Sequence, residues 1–194
     1  MTDSRRNKLI LLALFALFFI PVLVAYLMNA GVIHYRATPS KNHGDLVTPP
    51  VEMRRYTRHA ALAQADDRWK LVYVTAKQDC DEDCQKMLDA IYRIYLASGR
   101  HQPKVQPVVV GLSGAVELTA QLAPVFQSVS LQGEPSAREL FFKLSQQSMG
   151  GKAGTGEGFY IIAPEGFLMM SYPQGFNPSG TIKDMNILLR RKDG

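Results

Sequence analysis

Two cysteines, Cys80 and Cys84, are the residues of this chain whose type and spacing suit covalent or metal chemistry. They lie in LVYVTAKQDCDEDCQKML, three residues apart, flanked by Asp79, Asp81, Glu82 and Asp83. Three chemistries fit such a pair. A structural disulfide would close so small a loop that its stabilisation falls at the low end of the usual ~2 to 4 kcal/mol. A redox couple needs a stabilised thiolate; a helix amino terminus beneath Cys84 provides for it, while the four carboxylates oppose a further anion. A pair of soft metal ligands gains from the same carboxylates, since a bound cation offsets their repulsion. Glu82 and Asp83 also read as ordinary first-turn helix acids.

The flanking pattern says which elements hold the pair. WKLVYVT, from Trp69, is apolar on both faces and predicts a buried strand. Cys84, Met87, Leu88, Ile91 and Tyr95 recur at helical spacing, with Gly99 as the stop. VQPVVVGL (105–112) predicts the next buried strand, VELTAQLA (116–123) a short helix and VFQSVSL (125–131) a strand. PSARELFFKLSQQ predicts a helix opened by Pro135. GFYIIAPEGFLMMSYP contains two apolar runs around a Pro-x-Gly turn, the pattern of a hairpin. NPSGTIKDMNILLRR closes the chain with a capped amphipathic helix whose last turn carries Arg190 and Arg191. Alternating units followed by a hairpin and a helix predict a three-layer α/β domain with a mixed central sheet.

Ahead of this domain, residues 9–28 read LILLALFALFFIPVLVAYLM, twenty residues without a charge. At about 1.5 Å rise per residue the run spans roughly 30 Å, the thickness of a bilayer core. It is longer than a signal-peptide core, and no small-x-small cleavage site follows it. Arg5, Arg6 and Lys8 precede it, so the positive-inside bias keeps the amino terminus in the cytoplasm. The expected organisation is a cytoplasmic terminus at 1–8, an anchor at 9–29, a tether at 30–68 containing prolines and two histidines, and the domain at 69–194. Residues 51–64 are expected to hold a short helix on the domain's edge. In a bacterium the domain would face the periplasm, where disulfides persist. The net charge of +5 is dispersed, without Lys/Arg runs interleaved with aromatics, so a nucleic-acid partner is not expected. No HExxH, GxSxG or GxxxxGK[ST] occurs, and GGKAGTGEG follows a helix and precedes a strand, the wrong context for a phosphate loop. No small-molecule substrate is evident.

A strand, a loop with two nearby cysteines, a helix starting at the second, and a closing hairpin plus helix resemble the thioredoxin fold. Within it, Cys80 and Cys84 resemble the CxxxC of the Sco/SenC family of membrane-anchored copper chaperones. FYIIAPEG is similar to that family's strand and turn through Tyr160, Pro164 and Gly166. The family's histidine ligand would fall at Thr155, so the match departs there. His101 follows the helix that starts near Cys84, about 16 residues or some 24 Å along it, too far to serve. His34 and His43 lie on the expected tether and His59 near the domain edge; Met149 is a soft thioether in the loop where the histidine is missing.

The resemblance implies a periplasm-facing, inner-membrane protein that assists assembly of a haem-copper cytochrome c oxidase. Cys80 and Cys84 would deliver copper or reduce a client disulfide, with Met149 as a further candidate copper ligand, and oxidase subunits or other assembly factors would be the partners. Two alternatives stand beside it: a general thiol-disulfide oxidoreductase for exported proteins, and a non-catalytic accessory domain whose cysteines are merely oxidised.

Overall fold

The computed structural model describes residues 3–29, 42–148, 155–172 and 175–191. Two compact units separate, Met1–Ser40 and Lys41–Gly194. The first contains helix α1 (Asp3–Asn29). Its apolar side chains include Leu17, Phe18 and Val22, each roughly two-thirds or more exposed. The anchor expected at residues 9–29 is not shown by the structure: among the described residues no helix is long and apolar enough to cross a membrane.

The second unit opens with a strand where a tether was expected. Strand β1 (Asp45–Glu52) pairs antiparallel with the far end of the chain, Asp45 opposite Ser171 and Glu52 opposite Phe167. A single helical turn at Met53–Arg55 and helix α2 (Ala60–Ala63) follow, and they bury Met53, Ala61 and Leu62. The expected tether at 30–68 is thus corrected from residue 45 onward; residues 30–41 lie outside the described ones. Pro49 and Pro50 argue against a central strand, but β1 is an edge strand, where a missing N–H leaves no ladder bond unmade. The short helix expected within 51–64 is present as these two turns.

Strand β2 (Trp69–Thr75), helix α3 (Glu82–Ala97) and strand β3 (Val105–Gly111) follow as read from the sequence, with β2 and β3 parallel and in register from Trp69 opposite Val105 to Thr75 opposite Gly111. Strand β4 (Gln127–Ser130) is parallel to β3. The helix expected at 116–123 does not form: the segment runs through turns, burying Val116 and Leu122 one at a time. Helix α4 (Pro135–Ser148), strands β5 (Gly158–Ile162) and β6 (Phe167–Tyr172), and helix α5 (Pro178–Arg191) complete the unit. The β5–β6 turn is the Ala163-Pro164-Glu165-Gly166 segment, closed by Gly166 N donating to Ala163 O, with Gly166 at φ +84°.

The sheet order is β1-β6-β5-β2-β3-β4, with β2 at the centre and buried along its whole length. Alternation in β2 sends Trp69, Leu71 and Tyr73 to one face and Val72 and Val74 to the other. The first face is covered by Leu88, Ile91 and Ile94 of α3 and Met185 and Leu189 of α5. The second is covered by Ala137, Leu140, Phe141 and Leu144 of α4 together with Leu62 of α2. This is the expected three-layer α/β arrangement with a mixed sheet, and it places the carboxyl end of β2 against the amino end of α3.

Candidate functional site

Cys80 and Cys84 stand at that junction and form a disulfide, with Sγ atoms 2.02 Å and Cα atoms 5.2 Å apart. Asp81 is the residue that starts α3: its backbone is extended and its carboxylate accepts from Cys84 N at 3.0 Å. Cys80 therefore sits just before the helix and Cys84 in its first turn, where the orphan N–H groups and the positive end of the dipole favour a thiolate once the bond is reduced. The two sulfurs differ in access. Cys84 is buried at 1% exposure among Leu88, Ile91 and Tyr73, whereas Cys80 is half-buried and lines a cleft of about 280 Å³.

Three side chains hold the cysteine loop. Gln78 donates through Nε2 to Ser113 O at 2.8 Å, joining it to the turn after β3. Glu157, just before β5, accepts from Ala76 N at 3.1 Å and from Thr75 Oγ1 at 3.2 Å. Gln85 Nε2 donates to Cys80 O at 3.2 Å. Of these, the role of Glu157 depends on β5 lying beside β2, a pairing that its own neighbours in the chain do not reveal.

The acids act mainly as helix acids. Asp81 pairs with Lys77, and Lys86 lies 2.8 Å from Glu82 and 3.7 Å from Asp83. The Lys77 ammonium, and then the Cys84 N–H, hold the Asp81 carboxyl below its ordinary range. The same contact raises Lys77. Behind the disulfide, burial pushes the Tyr73 phenol up to about 12, so it is a neutral hydroxyl at any working pH.

The other sequence candidates separate from the pair. Thr155, which stands where the family histidine falls, lines a different cleft of about 350 Å³ with Leu112, Pro135, Arg138, Glu139 and Phe142, on the α4 side of the sheet. His101 is in the turn Gly99–Lys104 beyond the carboxyl end of the 16-residue α3. His59 precedes α2 and is exposed. His43 is engaged elsewhere, its backbone N and ring Nδ1 bonded to Asp184 of α5 at 2.8 and 3.1 Å. Met149 and His34 lie outside the described residues. Among the described residues no group of three or more His, Cys, Asp or Glu side chains converges as a metal site. Reduced, the two sulfurs suit a soft monovalent ion as cargo.

Residues 69–191 match the family described as "Transmembrane-like, thioredoxin-like, C-terminal domain". Among solved structures, the chain is similar to copper-bound ScoI of Arabidopsis thaliana at 12% identity and a TM-score of 0.45, over 66% of this chain and 88% of that one. It is also similar to apo Sco1 of Thermus thermophilus at 16% identity and a TM-score of 0.47, over 78% of this chain and 99% of that one. No curated protein sequence matches.

Proposed function

Because the chain belongs to the transmembrane-like, thioredoxin-like C-terminal domain family over residues 69–191, we propose that it works as a membrane-anchored thiol-disulfide protein, with Cys80 and Cys84 as its reacting pair. The observation that carries this reading is the asymmetry of the disulfide. Cys80 is open to a cleft at the helix amino terminus while Cys84 is sealed in the core. An incoming thiolate reaches Cys80 Sγ, and the electron pair of the broken bond leaves on Cys84 Sγ, within reach of the dipole of α3.

The anchor is part of the proposal. Its support is the uncharged run of residues 9–28, whose described side chains such as Leu17, Phe18 and Val22 are exposed. As a helix that run would extend about 30 Å at about 1.5 Å per residue, the thickness of a bilayer core. With Arg5, Arg6 and Lys8 on the cytoplasmic side, the domain faces the periplasm of a bacterial inner membrane. The spacing of the cysteines and the FYIIAPEG strand and turn support assembly of a haem-copper oxidase as the task, by reduction of a client disulfide or by handing over copper(I) held between the two thiolates.

The unit Lys41–Gly194, reduced, is tested for two properties: its thiol-disulfide potential and its copper(I) stoichiometry, with Cys80→Ser as control. An exchange-competent couple well above about −300 mV supports the redox reading, because structural disulfides lie lower. One copper(I) per chain, lost in the variant, supports delivery. A low potential with no copper leaves an accessory domain with an inert disulfide and refutes the proposal.

A further inference from the structure

The cleft beside Cys80 combines two kinds of lining. Leu88 and Leu122 are buried and Leu118 half-buried, while Asp79 and Glu117 are exposed. Around the disulfide the remaining acids have ion-pair partners: Asp81 pairs with Lys77, and Glu82 and Asp83 share Lys86. Asp79 and Glu117 make no hydrogen bond or ion pair with any described residue. They come from different segments, Asp79 from the cysteine loop and Glu117 from the turns after β3, and the fold sets both on one cleft with Cys80. In a chain of net charge +5, this is a local acidic surface with an apolar lining and a sulfur at its edge.

Resting on the redox reading above, the geometry points to this cleft as the docking site for a cationic, leucine-like segment of a client protein, placed next to the client thiol that joins Cys80. A guest aliphatic side chain covers Leu118, the half-buried leucine of the lining, and a neighbouring Arg or Lys meets Asp79 and Glu117. An anionic segment meets two uncompensated carboxylates and is rejected. The step it serves balances as follows. A client thiolate attacks Cys80 Sγ, the Cys80–Cys84 bond breaks, and Cys84 leaves as thiolate and takes up a proton. A second client thiolate then attacks the client sulfur of the mixed disulfide and releases Cys80 as thiolate. The client dithiol is oxidised to a disulfide and the pair is reduced; with a disulfide client the same bonds exchange in reverse.

The test uses the full chain in neutral detergent, oxidised, with three reductants: dithiothreitol, a dithiol peptide carrying Leu-Arg beside its cysteine, and the same peptide with Leu-Glu. The expected result is reduction about fivefold to tenfold faster by the Arg peptide than by the Glu peptide at low salt, narrowing as ionic strength rises. Asp79→Lys with Glu117→Lys should abolish or invert that ratio, each peptide rate being taken relative to the dithiothreitol rate of the same variant. Equal rates for the two peptides with normal dithiothreitol reduction overturn the docking inference and leave the redox reading standing. A preference that survives the double charge reversal also overturns it, since other groups then carry it. No reduction by dithiothreitol overturns both readings.

Discussion

Asp184 on α5 joins the start of the folded unit to its end, and replacing it should loosen both. Its side chain is 2% exposed. Oδ2 accepts from His43 N at 2.8 Å, Gly44 N at 3.2 Å and Tyr172 OH at 2.9 Å, and Oδ1 lies 3.1 Å from His43 Nδ1. In Asp184→Ala the His43 groups can turn to water, but Gly44 N and the Tyr172 hydroxyl are buried. The hydroxyl keeps a long contact to Met170 Sδ at 3.9 Å and its neighbour Thr181. Two buried donors deprived of the carboxylate cost about 1 to 3 kcal/mol each, and relief of the buried carboxylate's desolvation offsets part of that. The net expectation is a loss of about 3 kcal/mol, or about 6 to 12 °C in melting temperature for a unit of this size. Asp184→Asn should cost about 1 kcal/mol, because the amide oxygen can replace Oδ2 while the amide nitrogen donates to His43 Nδ1. Tyr172→Phe should cost about 1.5 to 3 kcal/mol, the range for a hydrogen bond to a charged group. The assay is urea unfolding of Lys41–Gly194 followed by the emission of Trp69, the single tryptophan, with the slope unchanged and the midpoint shifted. The double variant Asp184→Ala with Tyr172→Phe should cost at least about 0.5 kcal/mol less than the sum of the singles. Full additivity, or an Asp184→Ala loss under about 0.5 kcal/mol, would refute the linkage.

Other expectations follow from single residues. Lys70, fully buried in β2, bonds Gln64 O through Nζ, and burial lowers its pKa from 10.5. The unfolded chain then binds the proton better, so Lys70 makes stability rise with pH between its lowered folded value and 10.5. Lys70→Met should remove that rise and change stability at pH 7 by no more than about 1.5 kcal/mol, as read by unfolding at pH 7 and pH 10. Asp81, depressed below its ordinary 3.8, stabilises above that pH and loses the contribution as pH falls through its folded value. Melting temperatures of Asp81→Asn and the parent protein should therefore differ at pH 7 and converge as pH falls below the folded value of Asp81. A Cβ on Gly111 would sit 1.8 Å from Gly114 O, so Gly111→Ala must displace the turn that receives Gln78. Its expected cost is about 1 to 3 kcal/mol, with faster reduction of the disulfide as the measurable sign of a loosened cysteine loop.

Elements defined by their own residues were legible from the chain. The apolar run of β2, the helical spacing after Cys84, Pro135 at the start of α4 and the Pro-x-Gly turn between β5 and β6 are local signals, and each appears where it was read. Two elements were not legible. The prolines of β1 point away from a strand unless its edge position is known, and its partner β6 lies more than a hundred residues on. The helical pattern at 116–123 lost to the connection it belongs to, which must carry the chain from the end of β3 to the parallel start of β4 and buries Val116, Leu122 and Phe126 singly.

At the site the division is similar. By itself the sequence determined that two cysteines stand at the start of a helix, that acids surround them, that a long uncharged segment precedes the domain, and that no histidine follows His101. Each of these is a matter of residue type and short spacing. Only the tertiary structure decided that Cys80 is open and Cys84 sealed, that Glu157 and Gln78 hold their loop, that Thr155 lies on the α4 side, and that Asp79 shares a cleft with Glu117. Those facts depend on which strands lie side by side and which face of the sheet each loop leaves from. Contacts between segments far apart in the chain set both, and no local pattern encodes them.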